Sequence, residues 1–235
     1  MSYAKSKSRA DYENLSSNLR SLASSTNRIP LTGLTYDHKN LIYQALIVLL
    51  SAAIEEYNKT VIEDWFYQLR IQNAHMSQIP INARMYGLLH RTAPHYRNYL
   101  YKKDNEAGLI EQLEKAKSDI HCLVNDHSVF STSYLSKEVW GDKKYPSIKN
   151  MCILYNRIGI KNIFDSIAKR YHHNFKNQLE SMLSIREAIA HTGSTTVTYT
   201  DFIGHIDIVD DFINRLDRVL YTHCCIEAGS QYWPR

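Results

Sequence analysis

A helical pattern runs without a break from about Asp37 to Arg70, with Leu41, Ala45, Val48, Leu49, Ala52, Glu56 and Lys59 recurring at steps of three and four residues. A segment this long has to be the element around which the rest of the chain packs, so the spacing predicts an all-α bundle built around one long helix. Glu56 falls on the apolar stripe. Turn formers are scarce, with 8 glycines and 5 prolines in 235 residues, about half the usual share. That shortage argues against a sandwich or barrel of many short strands. A chain that is 44% hydrophobic and 22% charged has enough apolar surface to form a core, which excludes disordered and low-complexity classes.

The other elements follow from the same reading. A short polar helix is expected over Ser8 to Ser25, then a loop through Pro30 and Gly33. An irregular region follows through Pro80 and Pro94, and then a charged helix from about Asn105 to Val124. Residues 126–145 carry Ser, Thr, Gly and Asp without a period and read as a loop. Pro146 suits the first turn of a helix through Arg157, Gly159 breaks it, and a further short helix covers Asn162 to Tyr171. The stretch from Phe175 to His191 is helical and stops at Gly193, where a left-handed cap is expected. The run STTVTYT reads as a linker into a final helix over Thr200 to Ala228, whose buried face is expected to carry Phe202, Ile206, Val209, Phe212, Ile213, Leu216, Val219 and Leu220. There is no internal repeat. Residues 1–35 read as an N-terminal helical arm and 36–235 as one all-α domain.

Cys122, Cys152, Cys224 and Cys225 form no CxxC pair and match neither a zinc site nor a disulfide framework. A reduced, cytoplasmic setting is the expectation. The polar N-terminus has no signal-peptide core, and the longest apolar run, Ala45 to Ile54, is about half of what a membrane span needs.

The net charge of +4 is unevenly placed. Between Trp65 and Lys103 lie Arg70, Arg84, Arg91, Arg97, Lys102 and Lys103 with no Asp or Glu, so the rest of the chain is slightly acidic. Trp65, Phe66, Tyr67, Tyr86, Tyr96, Tyr99 and Tyr101 are interleaved with them. Such a segment can neutralise phosphates and stack on unpaired bases, which makes Arg84, Arg91, Arg97, Lys102 and Lys103 candidate RNA contacts. The competing reading is a surface whose aromatics pack inward.

The segment with chemical content is Arg186-Glu-Ala-Ile-Ala-His191. At about 100° per residue Arg186 falls near the middle of a stripe formed by Phe175, Leu179, Met182, Ile189 and Ala190. A guanidinium on a packing face is costly unless it is paired or faces a cleft. It either makes an ion pair with Glu55 or Glu56 or serves a groove. His191 sits in the last turn, where exposed carbonyls favour the imidazolium and a nearby arginine opposes it, the balance that general acid–base work needs. On an ideal helix the two side chains point about 140° apart.

This hexapeptide fits the R-x4-H motif and resembles that of the HEPN superfamily, including the polar residue after the arginine and the small one before the histidine. ALIVLLSAAIEEYNKTVIEDWF is similar to the long helix of the RiboL-PSP branch, in which small and apolar residues lead into a Glu followed two positions later by an aromatic residue. NRIGIKNIFDSI is similar to that branch's segment before the motif helix. The resemblance covers roughly Asp37 to Leu220.

The resemblance implies a HEPN-like helical bundle and a metal-independent endoribonuclease without cofactor, of the kind found in toxin–antitoxin and antiviral defence systems. It also implies an RNA substrate, a homodimer in which two motifs share a cleft, and regulation by an antitoxin or sensor partner. His191 would act on the ribose 2′-hydroxyl or the leaving oxygen and Arg186 on phosphate charge, giving a 2′,3′-cyclic phosphate and a 5′-hydroxyl. The acidic residue of the long helix matches Glu55, with Tyr57 as the aromatic, whereas helical phase points to Glu56. Glu187 and Thr192 flank the motif as orienting residues, or as solvated and capping ones. Gly193 replaces the Tyr of the R-x4-H-x-Y form. His172 and His173, the pair His90 and His95, and the pair His121 and His127 lack metal-ligand spacing, and there is no phosphate-binding Gly-rich loop or G-x-S-x-G. Two rivals are a non-catalytic HEPN module that binds RNA, a nucleotide or a partner protein, and a helical adaptor whose Tyr-rich segment is a protein interface.

Overall fold

The computed structural model describes residues 2–102, 106–131, 135–143, 145–192 and 195–235, the side chains of residues 102, 119 and 192 excepted. These residues form ten α-helices: α1 (Lys7–Arg28), α2 (Tyr36–Ile71), α3 (Ile81–Lys102), α4 (Glu106–Lys115), α5 (Lys117–Val124), α6 (Leu135–Trp140), α7 (Ile148–Arg157), α8 (Ile163–Tyr171), α9 (Lys176–Thr192) and α10 (Tyr199–Glu227). Among the described residues there is no strand, only one isolated bridge between His75 and Val129. The bundle is therefore all-α. No described helix is long and apolar enough to cross a membrane. The expected cap at Gly193 lies outside the described residues, as does Lys103.

Side-chain caps set the helix starts. Ser6, Thr35 and Ser147 accept from the backbone N–H groups of Arg9, His38 and Asn150, satisfying donors that have no partner within the helix. Thr198 and Asp201 form a reciprocal capping box at the start of α10, with the Thr198 N–H donating to Asp201 Oδ2 at 2.9 Å.

The centre of the bundle is α2, which packs against α1, α6, α9 and α10. Its burial corrects the expected face. Tyr43, Ile47, Leu50, Ile54, Tyr57, Val61, Trp65 and Leu69 are buried, while Leu41, Ala45, Leu49, Ala52 and Glu56 are exposed. A helix with four neighbours buries more than half of its circumference, so the stripe visible in the sequence is the strip left over. Glu56 is 62% exposed and pairs with Lys59 at 3.3 Å.

The expected helix faces of α10 hold, and all eight named residues are buried. Three expected boundaries do not. The helix α3 continues through Pro94, so the His90 carbonyl loses the donor a non-proline would supply. The charged helix divides at Ala116 into α4 and α5. The loop over 126–145 contains α6. Where the sequence sets residues 1–35 apart as an arm, α1 lies along α2 and α10 and adds Tyr12, Leu19 and Ala23 to the core.

A buried carboxylate closes the bundle. Asp217 on α10 is fully buried and accepts from Tyr57 Oη at 2.9 Å, Tyr3 Oη at 2.5 Å, the Ser6 N–H at 3.2 Å and Ser6 Oγ. Around it the first residues meet the last: the Lys7 N–H donates to the Pro234 carbonyl, Trp233 Nε1 to that of Ala4, and Tyr221 Oη to that of Ser2.

Candidate active site

The site is built on the second half of α9. The Asn174 side chain accepts from the Lys176 N–H at 3.0 Å, and Phe175, Leu179, Met182 and Leu183 are buried. This apolar stripe fixes the rotation of the helix. One turn further on Arg186 is half-buried, whereas Glu187 and His191 point outward. His191 is 74% exposed and its Nε2 lies 4.0 Å from Glu187 Oε1. With α9 helical through Thr192, Arg186 and His191 leave it in different directions.

The two readings of Arg186 differ in the partner they give it. No carboxylate among the described residues lies within 4.0 Å of its guanidinium, so the expected ion pair with Glu55 or Glu56 is not formed. Its Cζ sits instead 5.0 Å from the centroid of the Tyr145 ring, a cation–π contact. Tyr145 is held at the entry to α7, where its carbonyl accepts from the Ser147 N–H at 2.9 Å and from Asn150 Nδ2 at 2.9 Å. Pro146, buried, follows it.

A small cleft between α2, α6 and α7 is lined by Glu55, Lys59, Trp140, Lys143 and Leu154. Lys59 Nζ lies 5.7 Å over the Trp140 ring, and Trp140 Nε1 donates to Glu63 Oε1 at 3.1 Å. Glu55 therefore stands at the edge of a cationic and aromatic cluster, while Glu56 points to solvent. Neighbouring Asp142 accepts from both Arg157 and Lys143. Hydrogen bonds from Arg157, with those from Lys143, hold its carboxyl well below the usual carboxylate range.

The expected RNA-contact residues are divided by the structure. Arg84 is buried, donating through Nε to the Leu123 carbonyl at 2.8 Å and pairing with Asp126 at 2.7 Å. Arg91 pairs with Glu138 at 3.4 Å, and both side chains are about nine-tenths covered. These two arginines tie α3 to its neighbours and offer no open phosphate contact. Trp65 and Phe66 are core residues. Arg97, Tyr96 and Tyr101 are exposed, the Lys102 side chain is not described, and Lys103 lies outside the described residues.

Sequence reasoning missed Tyr145 as a neighbour of the motif. The available signal was the cation–aromatic composition of Trp140-Gly-Asp-Lys-Lys-Tyr145, but that segment has no period to place it. Among the described residues, no group of three or more His, Cys, Asp or Glu gathers as a metal site would require.

The described residues thus form an all-α bundle in which α9 carries Arg186 and His191 five residues apart. The sequence model of the RiboL-PSP-HEPN family matches residues 10–222, and the chain belongs to that family. The match begins inside α1. No curated protein and no solved structure matches the chain. Membership suggests a nuclease or RNA-related function, since HEPN domains are often ribonucleases and often dimerise.

Proposed function

We propose that this chain is a metal-independent endoribonuclease with Arg186 and His191 as its catalytic residues. The observation that carries the reading is the state of Arg186. A half-buried arginine that no carboxylate among the described residues neutralises keeps its charge and its N–H donors available for a phosphate. In this mechanism the ribose 2′-oxygen attacks the adjacent phosphorus while its proton passes to a base. The 5′-oxygen leaves with a proton, and the products are a 2′,3′-cyclic phosphate and a 5′-hydroxyl. His191 serves one of the two proton transfers, with Glu187 orienting the ring, and Arg186 stabilises the extra charge on the phosphoryl oxygens. No activated water is needed, because the nucleophile is already held beside the phosphorus.

The active form we propose is a homodimer. The exposed strip of Leu41, Ala45, Leu49 and Ala52 supports it. The loop after α9 runs along the same stretch of α2, with Gln44 bonding the Thr195 carbonyl and Asn40 the Val197 N–H. A second copy on that strip would therefore lie near both motifs. Exposed Arg97, with Tyr96 and Tyr101, is what remains of the basic segment as an RNA-contact surface. The toxin or antiviral setting, with an antitoxin or sensor partner in the cytoplasm, rests on family likeness alone.

The test is to incubate the purified protein with RNA in EDTA and to compare His191→Ala. Cleavage that persists in EDTA, leaves cyclic phosphate ends and drops by about 100-fold or more in the variant is the expected result. Cleavage lost in EDTA, or undiminished in the variant, excludes the mechanism.

A further inference from the structure

Arg186 is held by an unusual support for a side chain that emerges from a packing face. Its partner is a ring, not a carboxylate: Cζ lies 5.0 Å from the Tyr145 centroid. The two supports differ in what they leave over. A carboxylate would occupy two of the five N–H donors and offset the charge. A ring face attracts the cation through its quadrupole, leaves the edge donors free and keeps the charge. The guanidinium thus rests against a ring and has no carboxylate partner among the described residues.

The backbone that carries the ring is anchored. Its carbonyl accepts two hydrogen bonds from the first turn of α7, Ser147 caps that helix through the Asn150 N–H at 3.1 Å, and buried Pro146 restricts the backbone on either side. The anchor extends into the core through Met151, Leu154 and Tyr155 of α7. The neighbouring cations repeat the arrangement, since Lys59 lies over Trp140 and Arg157 over Tyr86 at 3.9 Å. Arg157, however, is consumed by Asp142 and the Val139 carbonyl. Arg186 is the one of the three with no acceptor among the described residues.

We infer that Tyr145 is a positioning residue for Arg186, a ring platform that presents the guanidinium to a phosphate without neutralising it. This assignment rests on the nuclease reading given above. It makes the entry to α7 part of the site, although Tyr145 lies about forty residues before Arg186 in sequence.

Four variants test it in the full chain against one RNA substrate: Tyr145→Leu, Tyr145→Phe, Tyr145→Trp and Arg186→Ala, with the double variant of the first and last. Tyr145→Leu keeps apolar bulk and removes the ring. Its kcat is expected to fall about tenfold, equivalent to roughly 1.4 kcal/mol, with KM and melting temperature little changed. Tyr145→Phe and Tyr145→Trp, which retain a ring face, restore most of the rate. In the Arg186→Ala background Tyr145→Leu costs nothing further. A parallel spectrum of the arginine side-chain N–H groups, in which the Arg186 signal is assigned by its loss in Arg186→Ala, follows the ring-current shift. That shift is expected to disappear in Tyr145→Leu and to persist in Tyr145→Phe.

An unchanged kcat in Tyr145→Leu, a loss that adds fully to that of Arg186→Ala, or an unmoved Arg186 signal overturns the assignment. If Arg186→Ala itself cleaves at the full rate, the nuclease reading falls first. If Arg186→Ala is inactive while Tyr145→Leu cleaves at the parent's rate, only the platform falls.

Discussion

Substituting Asp217 by Ala isolates the buried polar centre of the bundle. The carboxylate is fully buried and accepts four hydrogen bonds, from Tyr57, Tyr3 and both donors of Ser6. Burial pushes the Tyr57 phenol well up, so this hydroxyl remains a donor throughout the range in which the protein is folded. In Asp217→Ala the Tyr57 hydroxyl and the two Ser6 donors lose their acceptor in places water does not reach. Each unsatisfied buried donor costs about 1–3 kcal/mol, and relief of the carboxylate's own desolvation offsets part of the sum. A net loss of about 3–5 kcal/mol is expected, a large share of the roughly 5–15 kcal/mol that keeps a domain folded. For a chain of this size the midpoint of thermal unfolding should drop by on the order of 10 °C. Urea unfolding followed by circular dichroism measures the loss, and the cycle with Tyr57→Phe measures the coupling. The single variant Tyr57→Phe should cost about 1.5–3 kcal/mol, because it removes a bond to a charged acceptor. The double variant should lose less than the two singles together. An Asp217→Ala protein within about 1 kcal/mol of the parent, or strictly additive energies, would refute the account of Asp217 as the closing contact.

Asp142 should reveal itself through acid stability. Its folded carboxyl titrates below the usual value because Arg157 and Lys143 favour the charged form. Its contribution is therefore complete above about pH 4, the unfolded value, and fades as pH falls through the lower folded one. Because the side chain is 52% exposed, Asp142→Asn should cost no more than about 1 kcal/mol at neutral pH. Its melting temperature should then fall less than the parent's on acidification, and parallel pH profiles would contradict the assignment. Gly159 ends α7 with a φ of +98°, and a Cβ there would stand 3.2 Å from His223 Cε1. Gly159→Ala should cost about 1–2 kcal/mol and lower the melting temperature by several degrees. An unchanged melting temperature would show that the turn relaxes freely.

What the sequence makes legible depends on how many neighbours each helix has. The final helix packs by one face, so Phe202, Ile206, Val209 and their companions are readable at a glance and are buried as expected. The long helix has neighbours on most sides. Its true core, Tyr43 to Leu69, is spread over too wide an arc to look like a stripe, and the leftover strip through Leu49 and Glu56 looks like one. Arg84 and Arg91 were legible as cations but not as buried ones, because Asp126 and Glu138 lie more than forty residues away in sequence. Arg186 and His191 sit at a fixed spacing on one element, so the pair can be picked out from the sequence alone. Tyr145 cannot, since nothing local says which helix its ring will face.

The meeting of the first and last residues bears on the order in which the chain becomes native during synthesis. Tyr3 and Ser6 bond Asp217, Trp233 bonds Ala4, and Lys7 bonds Pro234, so these contacts cannot form until residues 217–234 leave the ribosome. The motif helix α9 emerges before that clasp closes. Closure of the bundle thus waits on residues made after the motif helix.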